Sequence, residues 1–161
     1  MFDSCIRLRS RAFSLLEIVI VVVIMGILAA MVVPQFAGAT DDARTAALES
    51  SVSSVRSSIA SFRARAIIAG ADPYPTLEQL TTPGVVVQGG VPANPYSRLS
   101  AVQSVTQQQA EARAVTNPDL YGWNYYVNNA SDPPVAIFYA NSSAATTSPD
   151  GQGGFRNANE L

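Results

Sequence analysis

Residues 13–33 read FSLLEIVIVVVIMGILAAMVV, and their reading decides the fold. From Ile18 to Thr40 no charged residue occurs in 23 consecutive positions. A helix of that length runs about 35 Å, enough for a hydrocarbon core of about 30 Å. The expectation is one membrane-spanning helix, interrupted near its start by a single carboxylate, Glu17. A charged acid left unpaired in lipid is costly, less so near the interface, so Glu17 calls for a partner.

Immediately upstream, residues 1–12 read MFDSCIRLRSRA and place Arg7, Arg9 and Arg11 against the apolar run. Arginines in this position keep the N-terminus cytoplasmic and send the rest of the chain across the membrane. A secretory signal peptide has the same basic-then-apolar order. Against that reading, the apolar run is long and Glu17 lies inside it. Ala29–Ala30 offers only a weak cut site, because Met31-Val32-Val33-Pro34 beyond it stays apolar.

The remaining composition removes several function classes. The 161 residues contain no histidine and one cysteine, Cys5. Zinc chemistry, histidine acid–base catalysis and a catalytic triad are therefore excluded, and no cofactor or metal is expected. All ten basic residues are arginine, set against twelve acids. Without residues 1–12 the balance becomes seven arginines against eleven acids, a net charge of −4. The arginines are scattered and form no cluster suited to a phosphate backbone, so nucleic acid is not expected as principal partner.

Arg11-Ala12-Phe13-Ser14-Leu15-Leu16-Glu17 resembles the prepilin processing motif, with Ala12 where that motif usually has Gly. Pro34 also sits where such chains carry a helix-bending proline. The chain is thus similar to the type IV pilin-like family, most of all to the major pseudopilin of type II secretion systems. The resemblance implies cleavage between Ala12 and Phe13 by a prepilin peptidase, N-methylation of Phe13, and a subunit-assembly role for Glu17. In a filament the Glu17 carboxylate would pair with the terminal amine of a neighbouring Phe13, relieving two desolvated charges together. The expected organisation is a leader over 1–12, a transmembrane and polymerisation half of the long helix over 13–40, and a periplasmic head over 41–161.

Beyond Thr40 the apolar residues Leu48, Val52, Val55, Ile59, Phe62 and Ala66 recur at spacings of three and four. They define one face of an amphipathic helix packed on a sheet, which Gly70 and Asp72-Pro73 then end. Thr76 followed by Gln79 predicts a capping box and a short helix. Tyr74-Pro75-Thr76-Leu77-Glu78-Gln79 and Val91-Pro92-Ala93-Asn94-Pro95-Tyr96 are both similar to segments of major pseudopilins. Residues 97–120 look like an insertion, and Ser100 to Val115 reads equally as helix or as surface loop.

Tyr121–Val127 and Val135–Ala140 are strand candidates joined by a long turn, with Trp123, Tyr125 and Val127 on one face. Those aromatics read as sheet core ahead of a ligand platform. Residues 141–161 read as a polar tail. Ser148 to Gly154 distantly resembles a glycine-rich calcium loop, but Asp150 is its one carboxylate and calcium commonly takes 6–8 oxygens. Asn129-Ala130-Ser131 and Asn141-Ser142-Ser143 match glycosylation triplets. The fold class is α+β: a long N-terminal α-helix packed on a small antiparallel β-sheet, pilin-like.

The functional expectation is a structural subunit of a pseudopilus serving type II-like protein secretion, not an enzyme. Its partners would be copies of itself, other pseudopilins, the prepilin peptidase, and an inner-membrane assembly platform with its ATPase. It would sit in a bacterial inner membrane as a single pass, head periplasmic, before entering a periplasmic filament. The missing disulfide outside the leader favours this over the alternative, a subunit of an extracellular type IV pilus for adhesion, motility or DNA uptake. A single-pass anchored envelope enzyme is the remote alternative.

Overall fold

The computed structural model describes residues 13–161, apart from the side chains of 33–37. The leader expected over 1–12, with Cys5 and Ala12, lies outside the described residues. Helix α1 (Leu15–Ala69) is followed by α2 (Leu77–Thr81), β1 (Val102–Ser104), α3 (Gln107–Glu111), β2 (Trp123–Asn128), β3 (Val135–Ala140), β4 (Ala145–Pro149), β5 (Phe155–Asn157) and a 3-10 turn, Ala158–Glu160. The chain divides into two compact units between Ala39 and Thr40.

In the first unit, Leu15–Val32 is long and apolar enough to cross a membrane, and none of it is buried within the chain. A helix that is apolar on every side requires a low-dielectric surrounding that its own chain does not provide here.

The second unit has its own core. Leu48, Val52, Val55, Ile59 and Ala66 are buried along one face of α1, and Phe62 packs against the same cluster. The helix ends at Gly70, whose φ of +68° is the left-handed conformation glycine adopts freely. There Gly70 N–H donates to Ile67 at 3.2 Å and Ala71 N–H to Ala66 at 3.0 Å, satisfying carbonyls that α1 would otherwise leave open. Thr76 then caps α2 as its spacing predicts: Oγ1 accepts from Gln79 N–H at 3.2 Å, and Gln79 Oε1 accepts from Thr76 N–H at 2.9 Å.

β2 and β3 form the expected antiparallel hairpin, with Trp123 opposite Ala140 and Tyr125 opposite Phe138. β1 adds to the other edge of β2 in parallel, giving the order β1-β2-β3. Trp123 and Tyr125 face the helical stripe, and Trp123 stacks on Phe138 with centroids 5.2 Å apart. Their polar ends are satisfied: Trp123 Nε1 donates to Pro92 O at 2.7 Å and Tyr125 OH to Pro75 O at 2.8 Å. Both aromatics therefore belong to the core, as expected.

The tail is more ordered than its composition implies. β4 and β5 pair as a second antiparallel hairpin, and Ala158 beyond them is fully buried. The hydroxyls of the tail supply what apolar side chains supply elsewhere. Thr146 Oγ1 donates to Arg156 O at 2.6 Å, and Thr147 N–H donates to Thr45 Oγ1 on α1 at 3.0 Å.

Candidate assembly site

Helix α1 begins at the stretch that carries the motif. The Ser14 carbonyl accepts from Glu17 N–H at 3.0 Å and from Ile18 N–H at 3.2 Å, so Phe13 and Ser14 stand at the open end of the helix. Glu17 lies in the first turn, where the positive end of the helix dipole favours an anion. Phe13 is 74% exposed and Leu16 67% exposed. Among the described residues Glu17 has no ion-pair partner, and the one ion pair there joins Arg44 and Asp41 at 3.9 Å. Phe13 and Glu17 therefore lie close in sequence at the start of α1, and both are exposed among the described residues. Ala12 falls outside the described residues. α1 continues as helix through Pro34, whose side chain is not described.

Residues 97–120, whose sequence reads equally as helix or surface loop, are held by two buried amides, Asn124 and Asn141, together with Gln103. Asn124 on β2 donates to Ala114 O at 3.1 Å and to Asn141 Oδ1 at 3.1 Å, while accepting from Gln103 Nε2 at 2.7 Å. Asn141, just past β3, donates to Thr116 O at 2.7 Å and Tyr121 O at 2.8 Å and accepts from Thr116 N–H at 2.9 Å. A third, Asn94, donates to Gly122 O at 2.8 Å. Each is fully buried. The only sequence signal was an unusual density of Asn beside strand residues. Gly122 is required here for a different reason: an added Cβ would lie 2.0 Å from Leu99 O.

The same contacts dispose of the glycosylation triplets. Asn141 has both amide hydrogens engaged and no exposure, and Asn129 bridges the N–H and C=O of Tyr74 at 3.0 and 2.9 Å. The Asp150 carboxylate is likewise committed to its own loop. Its Oδ1 accepts from Gln152 N–H at 2.7 Å and Gly154 N–H at 2.9 Å, and these bonds hold its pKa below the ordinary carboxylate value.

Residues 7–33 match the model of the prokaryotic N-terminal methylation motif. The chain is also 43% identical over 53 residues to the type IV narrow pilus major component PilA5 of Thermus thermophilus. That stretch covers 33% of this chain and 46% of the relative, so the chain spans about half the length of the curated relative it matches. No solved structure matches. Over these stretches the chain is similar to proteins that carry the N-terminal methylation motif and to a type IV pilus component. The matched relative is named as a type IV pilus component, whereas the sequence resemblance pointed first to a pseudopilin.

Proposed function

We propose that this chain is a subunit of a type IV pilus filament, stored in the membrane through α1 and polymerised through the same helix. One observation carries the reading: an apolar helix exposed on every side, opening on Phe13 and on a Glu17 with no ion-pair partner among the described residues, within the matched methylation motif. Lipid and a bundle of neighbouring helices are the two surroundings that cover such a surface. Prepilin peptidase would cut between Ala12 and Phe13 and methylate the new amine. Glu17 would then pair with that amine on a neighbouring copy, and Pro34 would loosen the helix by removing one backbone donor. An assembly platform and its ATPase would supply the work, with the head kept outside the inner membrane. The role is structural and not catalytic.

A pseudopilus serving type II-like secretion is the second reading. It is favoured by the Tyr74–Gln79 segment, which forms the capped turn at the end of α1. Deleting the gene separates the two. Loss of surface fibres with exoprotein release intact is the expected result; the reverse pattern would transfer the chain to secretion. Intact mass of the membrane protein tests processing, and a chain still carrying Met1 to Ala12 would remove the whole proposal.

A further inference from the structure

Between α1 and β3 a cavity of about 270 Å³ is lined by Arg56, Arg63 and Arg113 together with Tyr74, over apolar walls that include Ile59 and Phe138. Among the described residues no Asp or Glu lines it. Two of the arginines come from α1 and the third from the loop after α3, so the fold and not the local sequence brings them together. Like charges gathered without a counter-charge repel, which makes the arrangement unusual in a head that is acidic overall.

Each guanidinium is held in place, yet among the described residues none is paired with an acid. Arg56 donates through Nε and Nη2 to Phe138 O at 3.1 and 2.9 Å. Its pKa is held below the usual guanidinium value, first by burial and then by the positive charge of Arg113. Arg63 lies 4.9 Å over the Tyr74 ring, and Arg113 lies 5.3 Å over the Tyr139 ring. Arg113 Nη1 is buried and has no hydrogen-bond partner among the described residues.

The backbone at Arg113 adds an independent observation. Its φ is +51°, a conformation L-residues rarely adopt and glycine or asparagine fill at lower cost. Asn159 Nδ2 pins the Arg113 carbonyl at 2.8 Å, and Arg113 N–H donates to Ala110 O at 3.2 Å. The loop is strained in a way that delivers this particular side chain to the cavity. Guanidinium forks match the paired oxygens of carboxylate and phosphate groups. The aromatic and aliphatic walls leave room for a small organic body beside the charge.

We propose that this cavity is an oxyanion site, taking the phosphate or carboxylate group of a small ligand between Arg56, Arg63 and Arg113. The proposal does not depend on which filament the chain enters.

The test uses the full chain in detergent micelles, with unfolding of the head followed by near-UV circular dichroism. Inorganic phosphate is titrated at ionic strength held constant with sodium chloride, and acetate is run as a parallel arm. A ligand at free concentration L that binds only the folded state stabilises it by RT ln(1 + L/Kd), so Tm climbs with the logarithm of probe concentration above Kd. The expected result is a rise in Tm of that form with either probe, above the sodium chloride control, and the stronger probe tells phosphate from carboxylate. Arg113→Gln and Arg63→Gln should each weaken the apparent affinity at least tenfold, while Arg65→Gln, an exposed neighbour on α1, leaves it unchanged. Arg63 makes no hydrogen bond to the core, so its variant carries the test should Arg113→Gln fail to fold. Three results would overturn the site: no rise above the sodium chloride control with either probe, the same rise in both variants, or a Tm that responds to protein concentration alone. The last would identify the occupant as a carboxylate on a second copy.

Discussion

From Leu15 to Val32 every side chain of α1 is exposed, whereas Leu48, Val52 and Val55 further along the same helix are buried to 2% exposure or less. The first stretch has apolar surface and no core; the second has an apolar stripe matched to the inward face of β2. Polar groups follow the opposite rule. Glu17 is left without an ion-pair partner among the described residues, while Asn94, Asn124 and Asn141 are fully buried and fully engaged. Unsatisfied surface at the N-terminus points to other molecules, and satisfied surface in the head points inward. A mutation in one region should therefore be read in assembly, and a mutation in the other in stability.

The sharpest way to break that division is Glu17→Val. If the carboxylate pairs with a neighbouring amine, its loss leaves a buried charge uncompensated in each subunit contact, at about 3–5 kcal/mol. Recovery of the variant in sheared filaments should fall by at least tenfold. Its amount in the membrane fraction and the unfolding of its head should not change. Normal incorporation of Glu17→Val would leave the exposed carboxylate without a role.

Gly122→Ala strikes the other region. The new methyl would sit 2.0 Å from Leu99 O and 3.2 Å from Asn94 Cβ, so two backbone segments must separate. The expected destabilisation is about 3 kcal/mol, measured as a lower denaturant midpoint of the head, with membrane insertion untouched. A wild-type midpoint would mean that the loop at Leu99 yields freely.

How legible these regions were follows from where their information lies. The N-terminal helix depends on a local run of apolar residues and one acid, so its length and opening could be read directly. The amphipathic stripe from Leu48 to Ala66, the capping box at Thr76 and Gln79, and the hairpin of β2 and β3 are also local patterns, and each is present. Residues 97–120 are held by Gln103, Asn124 and Asn141, whose partners lie 10 to 25 positions away. No period or spacing announces such contacts. The strands of the polar tail are hidden for a related reason: Thr146 and Thr147 close β4 through hydroxyl and backbone bonds, a kind of packing that hydrophobic periodicity does not register. The three arginines of the cavity are equally silent, since Arg113 is 50 residues from Arg63.

Tyr125 offers a gentler probe of the head. Burial, with a smaller contribution from Tyr74, raises its pKa above the ordinary value of 10.0. The folded state therefore holds the phenolic proton more tightly than the unfolded chain. The corresponding stability is fully present below about pH 10 and is lost as the pH rises toward the folded-state value. Tyr125→Phe should cost about 1 kcal/mol at neutral pH, because Pro75 O loses its donor. It should also flatten the alkaline limb of stability. Burial raises Tyr139 in the same direction, so part of that limb should survive the substitution.

The smallest effect is expected at Asp150, on the rim of the head. The backbone N–H of Gln152, then that of Gly154, lowers its pKa. Its contribution is present above about pH 4, the unfolded value, and is lost as the pH falls through the lower folded value. The group is fully exposed, so water screens most of what the carboxylate gains. Asp150→Asn retains an acceptor oxygen for both N–H groups while removing the charge. Thermal unfolding at neutral pH should scarcely move, and the acid limb of Tm against pH should become slightly shallower. An unchanged acid limb would assign the order of the β4–β5 loop to its glycines and to Thr146, with no share for the charge. A large change would mean that Asp150 meets a cation the head does not itself supply, and the self-contained head of the comparison would then need a partner of its own.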